Sequence, residues 1–409
     1  MSLRCRFCDT ALINSFVDLG TSPLANSYLN KEDLNKMEPF YPLQVYVCSK
    51  CFLVQIPESQ SPEAIFGEYA YFSSYSDTWL KHARDYTEMM IQRFGFDSKS
   101  HVVELASNDG YLLQYFKQKG VPVLGIEPAK NVAKVAQEAG IPTLIKFFGQ
   151  ELAKELVAEG KKADLIVGNN VLAHVPSLNN FVQGMKTVLN PQGVITMEFP
   201  HLMRLIEENQ FDTIYHEHFS YFSFSTVANV FRQHGLCVFD VDELPTHGGS
   251  LRIYARHEND VTKPVDRKVG DLKKREEGKG YKDLAIYQLF GEKVKGTKRN
   301  ILEFLIRAKK DGKMIVGYGA PAKGNTLLNY CGIGTDFVDY TVDRSPHKQE
   351  HFLPGTRIPI YHPDKIRETR PDFLLILPWN IKEEIMEQMS HIREWGGKFV
   401  VLIPKVQVL

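Results

Sequence analysis

The run Tyr215-His216-Glu217-His218-Phe219-Ser220-Tyr221-Phe222 sets a phenol, a carboxylate and two imidazoles side by side. Such groups suit proton abstraction next to a carbonyl, where a base reaches the carbon acid while a donor steadies the enolate. Read as an extended segment, the period of two puts Tyr215 and Glu217 on one side and His216 and His218 on the other. A metal site fits poorly, because zinc-hydrolase histidines stand four apart on a helix with a glutamate between them, and here the spacing is two. Two further loops carry reactive groups. Thr246-His247-Gly248-Gly249-Ser250-Leu251-Arg252 combines glycines that allow close ligand approach with an imidazole and a cation, so His247, Ser250 and Arg252 read as a wall of a substrate site. Gly317 to Thr326 places Lys323 and Asn325 after a glycine turn and at a helix start, which suits an anionic, phosphate-bearing ligand.

A second constellation precedes these. Val102-Val103-Glu104-Leu105-Ala106-Ser107-Asn108-Asp109-Gly110-Tyr111-Leu112 runs from an apolar strand through a small polar turn into a helix. A buried parallel strand delivers its carboxyl end to a crevice, where small residues let a ligand approach the backbone. Glu127 ends the next apolar run, roughly 20 residues on, where dinucleotide folds place the acid that grips ribose hydroxyls. The turn lacks the three glycines of a pyrophosphate cradle, and Glu104 and Asp109 repel phosphate. A nucleoside with a positive centre and no phosphate fits, which points to S-adenosylmethionine. Ala106, Ser107, Asn108, Gly110 and Tyr111 then line that cofactor with Glu104 and Glu127, while Asn169 and Asn170 follow a later strand with His174 close by.

Four of the six cysteines form two CxxC pairs, Cys5/Cys8 and Cys48/Cys51, separated by 39 residues. That spacing suits two knuckles closing one structural tetrahedral zinc.

The elements that must hold these groups alternate. Strand signals at 102–106, 121–126, 142–145, 163–169 and 193–199 are separated by helical patterns at 109–118, 130–139, 149–159 and 178–188, which is a doubly wound, Rossmann-like α/β sheet. A helix at 225–234 and strands at 236–241 and 251–256 complete it. Residues 200–224 form an unusually long connection at a strand's carboxyl end, a place where function concentrates. The charge-rich stretch 258–282 reads as a solvated linker or helix face. Beyond it, strands at 313–318, 336–342, 372–377 and 398–403 with helices at 322–330 and 381–394 make a second, smaller α/β unit. The expected division is a zinc-binding domain at 1–65, a methyltransferase sheet at 66–260 and a C-terminal α/β domain at 261–409. The 49 basic and 49 acidic residues cancel, so charge argues for neither nucleic acid nor membrane. With no signal-peptide core and no membrane-length apolar run, a cytoplasmic enzyme acting on a small molecule is expected.

Taken in order, these motifs resemble the S-adenosylmethionine-dependent nucleotide-sugar C-methyltransferases. The resemblance covers nearly the whole chain. It implies transfer of a methyl group to C-3 of a dTDP-linked 4-keto deoxysugar held between the domains. It also implies that Tyr215, Glu217, His218 and Tyr71 are active-site residues, with the imidazole of His218, ahead of the phenolate of Tyr215, as the base. An O- or N-methyltransferase, a nicotinamide oxidoreductase and a zinc-ribbon binding protein remain as alternatives, and monomer versus homodimer stays open.

Overall fold

Three sheets organise the computed structural model, which describes residues 3–63, 67 and 72–409. The first begins as an antiparallel meander of β1 (Asn14–Ser22), β2 (Tyr41–Val47) and β3 (Val54–Gln55). Leu43, Val45 and Val47 alternate with the half-buried Gln44 and Tyr46 in β2, so one face turns inward. Helix α1 (Asp77–Phe94) follows, started by the Ser76 hydroxyl accepting the Trp79 N–H and stopped by left-handed Gly95.

The central unit alternates strand and helix: β4 (Val102–Leu105), α2 (Leu113–Gln118), β5 (Val123–Ile126), α3 (Lys130–Glu138), β6 (Thr143–Leu144), α4 (Gln150–Ala158), β7 (Ala163–Asn169), α5 (Leu178–Val188) and β8 (Leu189–Pro200). After α6 (Leu202–Glu207) and the short β9 (Ser220–Tyr221) come α7 (Phe224–Gln233), β10 (Leu236–Leu244) and β11 (Ser250–His257). The sheet order is β10-β11-β8-β7-β4-β5-β6, so β4 is the point where successive strands diverge to opposite sides. Ligands of open α/β sheets bind in the crevice that opens there, at the strands' carboxyl ends. All the strands run the same way except β11, which pairs antiparallel with both β8 and the edge strand β10.

Strand β9 belongs to the other sheet. It pairs with β3, Val54 opposite Tyr221 and Gln55 opposite Ser220, and the Ile56 N–H bonds the Phe219 carbonyl at 3.1 Å. The long connection therefore supplies the N-terminal sheet with its fourth strand.

The charged stretch after β11 contains α8 (Arg267–Gly278), capped by Asp266. It is more than a solvated face. The Glu276 carboxylate is buried, meets the His201 ring at 2.7 Å and accepts the Phe224 and Ser225 N–H groups, starting α7. Helix α9 (Leu284–Lys310) buries the stripe Tyr287, Phe290, Val294, Ile301 and Leu305, its first half against the N-terminal sheet, where Phe290 stacks on Phe16 at 4.6 Å, and its second half beside the C-terminal unit, where Phe304 meets Phe373 at 5.4 Å. Emptying such a buried phenylalanine site costs about 3–5 kcal/mol.

The third sheet is built from β12 (Ile315–Tyr318), β13 (Thr341–Val342), β14 (Ile360–Tyr361), β15 (Phe373–Ile376), β16 (Lys398–Val401) and β17 (Gln407–Val408), with α10 (Ala322–Cys331), α11 (Lys365–Thr369) and α12 (Lys382–Gln388) between them. Its order β14-β13-β12-β15-β16-β17 puts a second divergence at β12. One apolar cluster runs from Phe16 and Val45 through Phe211 and Ile214 to Ile315 and Val400, joining N- and C-terminal units across the long connection. No helix among the described residues is long and apolar enough to cross a membrane.

Candidate active site

The four paired cysteines converge, all their sulfur atoms lying within 4.8 Å of one another. Cys5 and Cys51 are 3.5 Å apart, as are Cys8 and Cys48. Zinc–sulfur bonds of about 2.3 Å in a tetrahedron set sulfurs roughly 3.8 Å apart, so this cradle fits the ion. Donors surround it as a thiolate cluster requires: Gln55 Nε2 on Cys5 at 3.2 Å and the Lys50 N–H on Cys48 at 3.4 Å. Among the described residues this is the one such group of metal-ligand side chains, and the histidines of the long connection form none.

At the carboxyl end of β4 the backbone turns sharply, with positive φ at Ala106, Asn108 and Gly110. Gly110 is required there, since a Cβ would press within 3.0 Å of Ile141 and 3.3 Å of Ala136 besides the strain of φ +79. The Glu127 carboxylate accepts the Asn108 N–H at 2.9 Å and the Ala129 N–H at 2.8 Å, and burial lifts it to about 6. Glu104 is pushed well above the usual carboxylate range by burial and by the charges of Asp109 and Glu127. Among the described residues, Glu104 Oε2, Ser107 Oγ, Asp109 Oδ1, both polar atoms of the Asn169 amide and Asn170 Oδ1 are buried without a hydrogen-bond partner. Each such atom costs about 1–3 kcal/mol, so a cluster at one sheet edge marks a polar ligand's place. Carboxylates and amides without a cation fit an amino acid and ribose carrying positive charge, the makeup of S-adenosylmethionine. Ser73 and Ser74 cross this turn, their N–H groups on Asn108 Oδ1 and Asp109 Oδ2 at 3.0 Å each. Trp79 lies beside Tyr111, ring centroids 6.0 Å apart.

The Tyr215–His218 segment is not extended. Its ends close a β-turn, the His218 N–H bonding the Tyr215 carbonyl at 2.9 Å. The expected sidedness is therefore replaced: Tyr215 and His218 meet, ring centroids 4.0 Å apart, while His216 turns away to the Pro42 carbonyl and the Tyr41 ring. Glu217 accepts from the Asn26 amide at 2.6 Å. His218 Nδ1 lies 2.9 Å from the Thr213 carbonyl, which only accepts, so Nδ1 carries the proton and Nε2 the basic lone pair. The His174 ring is 4.7 Å from His218 and bonds the Glu217 backbone. Burial, then the neighbouring His174 and Lys323, depress His218 well below the ordinary imidazole value, and burial takes His174 to about 4. At neutral pH these rings are uncharged.

Two walls complete the crevice. From β11's loop, His247 meets the Asn170 amide at 2.9 Å and is lowered to about 4, chiefly by burial. Its neighbour Gly248 has φ +90, and a Cβ there would sit 2.4 Å from the Trp379 ring. Ser250 donates to the Thr246 carbonyl at 2.9 Å within its own loop. Arg252 is buried and grips Glu198 at 2.5 Å, while the same carboxylate's other oxygen meets His82 at 2.9 Å. From the C-terminal sheet, Lys323 bonds Asn380 Oδ1 at 2.8 Å and lies 4.6 Å over the Trp379 ring. Burial lowers its ammonium, partly offset by Asp212, itself raised to about 6 by burial and bonded by the Trp379 indole at 2.6 Å. Asn325 is buried, its amide on the Ala25 carbonyl at 2.6 Å.

The structure thus brings His174, Tyr215, Glu217, His218, His247 and Lys323 to one crevice beside the β4 turn, and sets Ser250, Arg252 and Asn325 behind its walls. Tyr71 lies outside the described residues. Sequence reasoning missed Asn26, Glu198, Asp212 and Trp379. Trp379 follows a parallel strand's carboxyl end, a legible position, whereas nothing local marks Asn26.

Family models match along the chain: a zinc binding domain at residues 5–66, a methyltransferase domain at 79–241 and a C-methyltransferase C-terminal domain at 245–404. The C-methyltransferase NovU of Streptomyces niveus is 35% identical over 410 residues, covering 99% of this chain and 96% of that protein. A ubiquinone biosynthesis O-methyltransferase of Azorhizobium caulinodans is 24% identical over 119 residues, 26% of this chain and 46% of its own length. Among solved structures, the magnesium protoporphyrin IX methyltransferase ChlM of Synechocystis is 14% identical, with a TM-score of 0.34 over 47% of this chain and 88% of that one. Three family models in this order and a relative alike from end to end show that the chain belongs to the S-adenosylmethionine-dependent C-methyltransferases with an N-terminal zinc-binding domain.

Proposed function

We propose that this enzyme methylates a ring carbon beside the C-4 ketone of a dTDP-linked deoxysugar, C-3 being the expected one, with His218 as the base. The observation that carries the reading is the Tyr215–His218 turn, where the Thr213 carbonyl fixes one ring nitrogen as a donor and leaves the other basic. His218 Nε2 takes the proton from the carbon, whose electron pair passes into the ketone as an enolate. S-adenosylmethionine, when bound, supplies a methyl group already activated on its sulfonium. Positioning is then the protein's main task. The unpartnered polar atoms of Glu104, Ser107, Asn169 and Asn170 support binding of that donor, with Ala106, Asn108, Gly110, Tyr111, Glu127 and His174 shaping the same turn. His247 and Lys323 face the substrate's oxygens, Lys323 meeting its negative charge, and Ser250, Arg252 and Asn325 support them from behind.

The test is incubation with methyl-labelled S-adenosylmethionine and a panel of dTDP-4-keto sugars, followed by locating the label. Label on a ring carbon next to the ketone is expected, and His218→Ala abolishes both this transfer and deuterium uptake at that carbon while still binding S-adenosylmethionine. Label on oxygen or nitrogen overturns the reading.

A further inference from the structure

The loop between β1 and β2 leaves the zinc-binding unit and reaches the centre of the molecule. Leu29 exchanges two backbone hydrogen bonds with Phe352 of the C-terminal unit, at 3.0 and 2.9 Å. Tyr28 donates its hydroxyl to the Ala320 carbonyl, just past β12, at 2.6 Å. Between these anchors and the catalytic turn stands Asn26, half-buried, its Nδ2 on Glu217 Oε1 at 2.6 Å and its Oδ1 3.4 Å from the Tyr28 hydroxyl. Only this orientation of the amide works, since the flipped one would aim its oxygen at a carboxylate. An N–H on a carboxylate favours the ionised form and fixes its direction, and such charge-assisted bonds are about twice as strong as neutral ones. Glu217 is also the residue whose backbone holds His174, and it precedes His218 in the turn. Orienting its carboxylate therefore orients the turn.

We propose that Asn26 is a positioning residue for methyl transfer, holding the Glu217 carboxylate in its working direction and making the zinc-binding unit a component of the catalytic centre. The proposal rests on the reading of the 215–218 turn given above. An Asn26 that merely glued units together would act on the fold and not through Glu217, and the two roles separate in a double-mutant cycle.

The experiment compares wild type, Asn26→Ala, Glu217→Gln and the double variant on whichever sugar of the dTDP-4-keto panel the wild type methylates, with labelled S-adenosylmethionine, alongside zinc content and calorimetric binding of S-adenosylmethionine. Asn26→Ala is expected to lower kcat about 10- to 100-fold, the range of a lost hydrogen bond to a charge, with zinc content and cofactor affinity unchanged. In the Glu217→Gln background the same replacement has almost no further effect. Equal losses in both backgrounds, or an unchanged kcat in Asn26→Ala, overturn the proposal. If the alanine variant loses zinc, Asn26→Asp decides, because it keeps the shape and removes the donor: full activity there overturns the role as well. A wild-type enzyme that neither methylates any sugar of the panel nor exchanges a proton next to its ketone removes the reading of the turn itself, and the role of Asn26 falls with it.

Discussion

The crevice beside the β4 turn keeps three imidazoles neutral, the form in which His218, the proposed base, can take a proton. His174 and His247 are lowered to about 4, chiefly by burial, and burial together with the neighbouring His174 depresses His218 well below the ordinary imidazole value. In the unfolded chain each titrates near 6.5, so between that pH and about 4 the unfolded state binds more protons. Stability contributed by these residues is therefore complete above pH 6.5 and drains away as pH falls toward 4. Urea unfolding is expected to show a midpoint that drops across this window, and His174→Asn to flatten the drop; a wild-type midpoint constant from pH 6.5 to 4 contradicts the assignment. At this scale the sequence was a good guide to which polar groups gather, because Tyr215, Glu217 and His218 stand together in the chain. It was a poor guide to their partners. Asn26 reaches Glu217 and Arg252 reaches Glu198 across separations that no local pattern encodes.

Strands buried on both faces announce themselves as apolar runs, which is why β4, β5 and β7 appear within two residues of where the sequence puts them. The two-residue strands β3 and β9 have no period to read, and their pairing joins segments far apart in the chain. Helix α9 hides its stripe among lysines and glutamates, although Tyr287, Phe290, Val294, Ile301 and Leu305 keep the helical spacing. The pairing of β3 with β9 has a measurable effect, because β3 follows Cys51 by three residues and β9 follows His218 by two. Withdrawing the metal should loosen the strand that anchors the 215–218 turn. Treatment with a strong chelator is expected to lower methylation at least about tenfold in step with zinc released, by analogy with the cost of losing outer-shell support at metal sites, and added zinc to restore it. Activity that persists in metal-free protein of intact fold would show the turn to be held by other contacts.

Across the whole molecule no unit closes on itself. The N-terminal sheet borrows β9, α9 covers that sheet from beyond the central unit, and one apolar cluster is shared by both ends of the chain. Local opening of one unit thus exposes apolar surface on another, and thermal unfolding is expected as one transition in spite of three sheets. Trp79 in the central unit and Trp379 and Trp395 in the C-terminal one give optical probes: single-tryptophan variants should melt together, and well-separated midpoints would show independent domains. The borrowed strand also sets an order in time. A ribosome adding about 5–20 residues per second makes the four cysteines and β3 some ten to thirty seconds before it makes β9. During that interval the newborn zinc unit has an open sheet edge and no 215–218 turn to hold, so its maturation waits on the middle of its own chain.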